Sequence, residues 1–314
     1  MNAKISRRFA LKCPNIECSA STESVSTISG GPLTARVVRK GYFIRKSDSR
    51  RIARFQCLGC RRSFSRATFH PCVYQKKRTL NHEVRALLAS VVSQRRIAKL
   101  LGISRTTVHR KLRHLAREAE LKQAMRLQAL KNSGRAFSEL QFDELQTFEH
   151  SKCLPLSVPL VVDPKTRMIL GFGVASMPAN GPLTLVSIRK YGPRKDERAK
   201  EVSRLFRNLS PLVTPEAKWI SDENPAYPFW IRKHFPKASH QTHKGRRGAV
   251  VGQGELKKIG FDPLFGLNHT CAMLRANVSR LVRRTWATTK RAERLREHLW
   301  VYMDYHNSEL IGQA

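Results

Sequence analysis

The residues of this 314-residue chain that could do chemistry are two pairs of cysteines and a few carboxylates placed on apolar runs. Cys13 and Cys18 lie in CPNIEC, and Cys57 and Cys60 lie in CLGC. Two such knuckles supply four thiolates, the donor set of a closed tetrahedral zinc site. The second knuckle sits in RFQCLGCRRSFS, where an alternating strand leads in and a Phe follows, as a zinc ribbon's hairpin requires. The first is less regular. The long gap between the pairs needs an inserted hairpin, for which residues 36–45 (RVVRKGYFIR) have the composition. Unpaired cytosolic thiols are the competing reading. Cys72, Cys153 and Cys271 have no partner spacing and read as small core residues.

Asp143 sits in AFSELQFDELQTF, which alternates apolar and polar residues as a strand does. A carboxylate on an otherwise apolar-facing strand is costly unless it is paired or metal-bound, so Asp143 reads as a ligand. Glu144 points to the opposite face and reads as a solvated or structural residue. Asp163, in DPKT, is a turn residue. Asp222 follows the short apolar run KWIS and reads as a second ligand, or as a plain loop-starting Asp. The third ligand is open between Asn268, at the start of a late helix, and Glu255, in the Gly-rich GQGELKK. Asn268 brings a carbonyl oxygen without a charge, or merely caps its helix. Such a set can hold two divalent cations, Mg2+ or Mn2+, about 3.5–4 Å apart for in-line phosphoryl transfer.

Two groups of elements must position these residues. Residues 81–93 have a helical apolar rhythm, and SQRRIAKLLGISRTTVHRKLRHL follows. Ile97, Leu100 and Leu101 mark a short helix; Gly102 supplies a turn with positive φ; Ser104 caps a second helix with Val108, Leu112 and Leu115 on its apolar face. This is a helix-turn-helix layout, which exposes Arg105, Thr106, Thr107, His109 and Arg110 toward a major groove. An ordinary helical hairpin with a basic face is the alternative. The helix continues toward Lys131, and Asn132-Ser133-Gly134 breaks it. Beyond the break come three strands, a helix over 196–208, a strand ending at Asp222, and a late helix from near Asn268 through LRANVSRLVRRTW. That order is ribonuclease-H-like. The expected architecture is multidomain α/β: a zinc ribbon over 1–75, a helix-turn-helix over 76–132, and a mixed-sheet catalytic domain over 135–314.

Charge narrows the partners. Lys and Arg number 59 against 23 Asp and Glu, a net charge of +36. Residues 1–134 hold 30 basic and 6 acidic residues, and 135–314 hold 29 and 17, so the excess is +24 and +12. Such an imbalance fits a polyanion, double-stranded DNA, and places the main phosphate-binding arm in the N-terminal half. No apolar run has the length of a membrane span, no secretory leader is legible, and sparse cysteines point to a reducing, cytoplasmic compartment.

Taken in order, FDELQTF, WISDENPAYP and LNHTCAMLRANVSRLVRRTW resemble the DDE transposases of the first-numbered insertion-sequence family. The likeness covers nearly the whole chain. In that register Asp143 and Asp222 match the first two acids. Asn268 takes the third place, as it does in some relatives, and Arg275 is the basic residue two turns on. Arg283, Arg284 and Thr285 match a later basic pair. His240, in SHQTHK, resembles a His between the second and third ligands. The resemblance implies a transposase that holds the terminal inverted repeats of a mobile element and performs metal-dependent cleavage and strand transfer. It implies a homodimer or higher synaptic assembly, with Arg275 on substrate phosphate. A non-catalytic DNA-binding regulator derived from a transposase is the rival expectation.

Overall fold

The computed structural model describes residues 11–22, 37–46, 49–73, 75–244, 262–283 and 285–312. Glu255 and Arg284 lie outside the described residues. The chain divides into two compact units, 1–78 and 79–314.

Among its described residues the first unit contains a short helical turn, α1 (Ser19–Thr22), three short strands, β1 (Val37–Ile44), β2 (Arg51–Cys57) and β3 (Ser63–Phe64), and a 3-10 turn over Arg66–Phe69. The strands form an antiparallel sheet in the order β1-β2-β3. β1 buries almost nothing: all but its first residue are exposed. Among its described residues the interior is Cys13, Cys18, Ala20 and Cys57, with Val37 and Cys60 packed against them, and Phe64 is buried as well. So small an apolar interior does not offset chain entropy without a staple.

The second unit opens with three helices, α2 (Asn81–Leu88), α3 (Gln94–Leu100) and α4 (Arg105–Asn132). α2 stops earlier than its apolar rhythm predicts, because Val91 takes φ 61° and the chain turns there. The next turn is as the sequence requires. Gly102 adopts φ 57°, and Ser104 Oγ accepts the Thr107 backbone N–H at 3.1 Å. Val84, Leu88, Ile97, Val108, Leu112 and Leu115 close a small core among these helices.

A mixed sheet follows, built from β4 (Phe137–Phe148), β5 (Pro155–Val162), β6 (Ile169–Phe172), β7 (Ala175–Ser176), β8 (Val213–Ser221) and β9 (Ser239–Thr242). Its order is β6-β5-β4-β8-β9, with β7 added to β5. β4, β5 and β6 pair antiparallel, while β8 runs parallel to both β4 and β9. Asp163 makes the β5–β6 turn: it accepts from the Lys165 backbone N–H at 3.2 Å and from Thr166 Oγ1 at 2.6 Å.

Helices cover both faces. α5 (Leu183–Tyr191) and α6 (Arg198–Leu209) join β7 to β8, and α7 (Tyr227–His234) joins β8 to β9. α6 buries Val202, Leu205, Phe206 and Leu209, the spacing of one helical face, against Leu140, Phe142, Val161 and Trp219. On the other face α8 (Phe265–Asn277) and α9 (Ala292–Tyr305) bring Leu267, Leu274, Leu295 and Leu299 onto Leu145, Val158, Leu160 and Ile220.

The late helix is shorter than the sequence predicts. It ends at Asn277, whose carbonyl accepts the Val91 N–H, and Val278 leaves it with ψ 107°. Burial is the reason. Val278 and Leu281 turn into the core beside α9, a helix the sequence reading did not foresee.

Candidate active site

The strand register builds the site. Gln141 on β4 pairs with Ile220 on β8 in parallel. Two residues further along each strand stand Asp143 and Asp222, which the register therefore sets side by side at the strands' carboxyl ends. Period-two alternation places them on the sheet face that Ile220 and Leu145 bury beneath α8 and α9. β8 ends at Ser221, so at Asp143 β4 keeps β5 on one side and has no strand on the other. The gap is filled by Tyr227, whose hydroxyl donates to Asp143 Oδ1 at 3.1 Å. The Glu144 backbone N–H donates to the same oxygen at 2.6 Å. Asp222 Oδ1 accepts the Asn224 N–H at 3.1 Å, which folds the following loop back toward the strand end.

Burial pushes the Asp143 carboxyl up from its ordinary value, and the Asp222 charge pushes the same way. Burial and the charges of Asp143, Glu144 and Asp222 raise the Tyr227 phenol. Tyr227 thus stays a donor. Two carboxylates crowded at a half-buried strand end repel each other, and a hard divalent cation relieves that repulsion.

Glu144 faces the other side of β4, as alternation predicts, but it is buried and not solvated. Ser157 Oγ donates to it at 2.6 Å, and Arg198 approaches it at 3.8 Å. It is a structural carboxylate that ties β4 to β5 and α6.

Gln141 aligns α8. Its side chain donates to the Pro263 carbonyl at 2.7 Å and accepts the Leu267 N–H at 2.8 Å. Gly266 permits this closeness, since a Cβ there would stand 3.0 Å from Gln141 Oε1 and 3.3 Å from Pro164 Cα. The helix so placed brings Arg275 and Cys271 within electrostatic reach of Asp143, and Arg283 within reach of Arg275. Asn268, in the first turn, is exposed; its Nδ2 donates to Asp262 Oδ2 at 2.9 Å. Among the described residues, no third His, Cys, Asp or Glu gathers with Asp143 and Asp222 at metal-binding distance. His240, on β9, meets Ser221 Oγ through Nε2 at 2.9 Å and not the Asp222 carboxylate. Ser221 spends its own proton on the Asp222 carbonyl, so His240 Nε2 carries the hydrogen. Burial lowers the imidazole's pKa from its ordinary value.

Tyr227, Gln141, Ser221 and Asp262 escaped the sequence reading. Tyr227 had a signal, five residues beyond Asp222 in the quoted DENPAYP. The other three are ordinary polar residues whose roles exist only once the strand and helix are paired.

The cysteines gather in the first unit. Cys13 and Cys60 Sγ lie 3.5 Å apart, Cys18 and Cys57 Sγ 3.7 Å, and all four sulfurs fall within 4.8 Å of one another. A tetrahedron with Zn–S of 2.3 Å has sulfur–sulfur edges of about 3.8 Å, so the cluster has the size and donor set for zinc. The Asn15 backbone N–H donates to Cys13 Sγ at 3.4 Å, which suits a thiolate.

At the start of α4, Arg105, Thr106 and Arg110 are exposed, and Thr107 and His109 are half-exposed. The Thr107 hydroxyl is engaged with Ser104 Oγ at 2.9 Å, so it braces the turn. Burial and the Arg294 charge lower the His109 pKa. Among the described residues, no helix is long and apolar enough to cross a membrane.

No family model matches this chain, and no curated protein matches it. Among solved structures it is similar to a protein in a pre-cleavage Mos1 transpososome, at 12% identity over 76% of this chain and 81% of that one, with a TM-score of 0.19. A TM-score of that size fixes neither fold nor function.

Proposed function

We propose that the protein is a DNA transposase with a ribonuclease-H-like catalytic domain. In this reading α3 and α4 form a helix-turn-helix that, with the four-cysteine ribbon, holds terminal inverted repeats. Arg105, Thr106, Thr107, His109 and Arg110 are its DNA-facing residues. The observation that carries the proposal is the register that sets Asp143 beside Asp222 on one face. The strand order and the helices on both faces are what a ribonuclease-H-like domain needs.

Asp143, Asp222 and Asn268 would hold Mg2+ or Mn2+. When bound, the metal activates a water or a 3′-hydroxyl and neutralises the leaving oxygen. Tyr227 and the Glu144 N–H fix the Asp143 carboxylate, so its free oxygen keeps one orientation. Gln141 sets the height of α8 above the carboxylates. Arg275 and Arg283 meet the phosphate of the DNA end, and Arg284 belongs to the same basic run. Hydrolysis breaks the P–O3′ bond at the element's end, and the freed 3′-hydroxyl attacks a target phosphodiester. Two ends must be joined together, which calls for a homodimer or a larger synaptic complex.

The test is metal-dependent nicking and strand transfer on the element's own ends. Asp143→Asn and Asp222→Asn are expected to lower the rate at least 100-fold and to leave gel-shift affinity for the ends within twofold. The rival is a non-catalytic DNA-binding regulator. The observation in its favour is that no third acidic, histidine or cysteine ligand joins the two carboxylates among the described residues. It expects end binding with no cleavage by the unaltered protein under any divalent cation.

A further inference from the structure

Asn268 takes the third place in the proposed metal centre, and one side of its amide is already committed. Its Nδ2 donates to Asp262 Oδ2 at 2.9 Å, while Asp262 Oδ1 accepts the Leu264 N–H at 3.0 Å. An ionised carboxylate only accepts, so the amide nitrogen must face Asp262 and the amide oxygen must face away. None of the described residues donates to that oxygen. Asn268 shares a helix face with Cys271 and Arg275, the two α8 residues in electrostatic reach of Asp143. The asparagine therefore presents an oriented, unused carbonyl oxygen from the helix that covers the two aspartates.

We propose that Asp262 is a positioning residue of the metal centre. It holds the Asn268 amide with Oδ1 turned out for the cation. It also returns, one hydrogen bond away, the negative charge that an asparagine in the third place lacks. A carboxylate accepting from the Nδ2 hydrogens polarises the amide and makes its oxygen a better donor to a hard cation. This inference rests on reading Asp143, Asp222 and Asn268 as the cation's ligands.

A bland role competes, because Asp262 also braces the turn that leads into α8 by accepting the Leu264 N–H. Asp262→Asn separates the two. Asparagine makes the same turn through its Oδ1 as aspartate does, so the lead-in to α8 is kept while the charge is removed. The experiment follows Mn2+ binding to the full chain, without DNA, by electron paramagnetic resonance. Asp262→Asn is expected to weaken Mn2+ binding at least tenfold, the usual scale for a ligand's hydrogen-bonded partner, with an unchanged metal-free melting temperature. The exchange variant Asp262→Asn with Asn268→Asp moves the carboxylate onto the ligand itself and is expected to restore Mn2+ binding to at least the original affinity.

The proposal is overturned if Asp262→Asn binds Mn2+ as the unaltered protein does, or if the exchange variant binds no better than Asp262→Asn. Asp143→Asn is measured alongside. If it abolishes Mn2+ binding while Asp262→Asn changes nothing, only the role of Asp262 falls. If Asp143→Asn itself leaves Mn2+ binding intact, the metal centre falls and this inference with it.

Discussion

Asp143 is held in a setting that disfavours its own charge. Burial raises its pKa and the Asp222 charge raises it further, against the opposing hydrogen bonds of Glu144 N–H and Tyr227 and the charge of Arg275. The sign of the linkage follows. The folded pKa exceeds the unfolded value, so the unfolded chain ionises first as pH rises. The metal-free fold is then progressively weakened between the ordinary carboxylate value of 3.8 and the raised folded value, with the full penalty present above both. Asp143→Asn removes that penalty and retains an oxygen to accept from Tyr227 and the Glu144 N–H. The variant is therefore expected to melt higher than the unaltered protein at pH 7 without divalent metal, with the advantage vanishing as pH falls to 3.8. Thermal melts across that range check it. A variant that melts lower at pH 7 contradicts the destabilised carboxylate.

Between elements, the decisive contact is β4 against α8. A Cβ at Gly266 would crowd Gln141 Oε1 and Pro164 Cα, and Pro164 is backbone that cannot swing aside. Overpacking of this kind costs about 1–3 kcal/mol, while Ala gains about 1 kcal/mol over Gly in a helix. The two nearly cancel in stability, but α8 must still lift off β4. Gly266→Ala is thus expected to change the denaturation free energy by no more than about 2 kcal/mol. It should lower metal-dependent nicking at least tenfold and spare end binding, which the proposed function assigns to α4. Denaturant melts, nicking rates and gel shifts together check this. If nicking is unaffected, the height of α8 does not set the site. The same contact marks how far the sequence could be read. Alternation exposed Asp143, and the apolar run ending in Asp222 exposed its partner, because both are local signals. Gln141 and Asp262 left no trace, since a glutamine on a strand and an aspartate before a helix look alike whether or not a second element meets them. The late helix was overextended for a related reason. Its apolar rhythm continues through Val278 and Leu281, which face the core after the helix has already broken. α9 was missed because its apolar positions serve two cores at once, Leu299 and Tyr302 beside the sheet and Val301 beside the first helices.

At the scale of the whole chain, the two units solve the folding problem by different means. Residues 79–314 bury large apolar side chains on both faces of a five-strand path, Trp219, Phe206 and Leu160 among them. Among the described residues of 1–78, what is buried is chiefly sulfur: Cys13, Cys18 and Cys57 are at most 8% exposed, with little beside them except Ala20 and Phe64. A structural Zn2+ site of this kind contributes about 10–16 kcal/mol in small peptides, far more than such an interior supplies. Stability of the first unit should accordingly follow zinc, and that of the second should not. Cys57→Ser removes one of the four clustered thiols. In the full chain it is expected to bring bound zinc below a tenth of an equivalent, to abolish the melting transition of the first unit, and to leave that of the second within about 2 °C, since Cys57 belongs to the first unit's own interior. Elemental analysis and calorimetry of the same preparation measure both. If the variant keeps a full equivalent of zinc, the four thiols are not the metal's ligands. If zinc is lost and the first transition survives, the sheet β1-β2-β3 holds itself together without it.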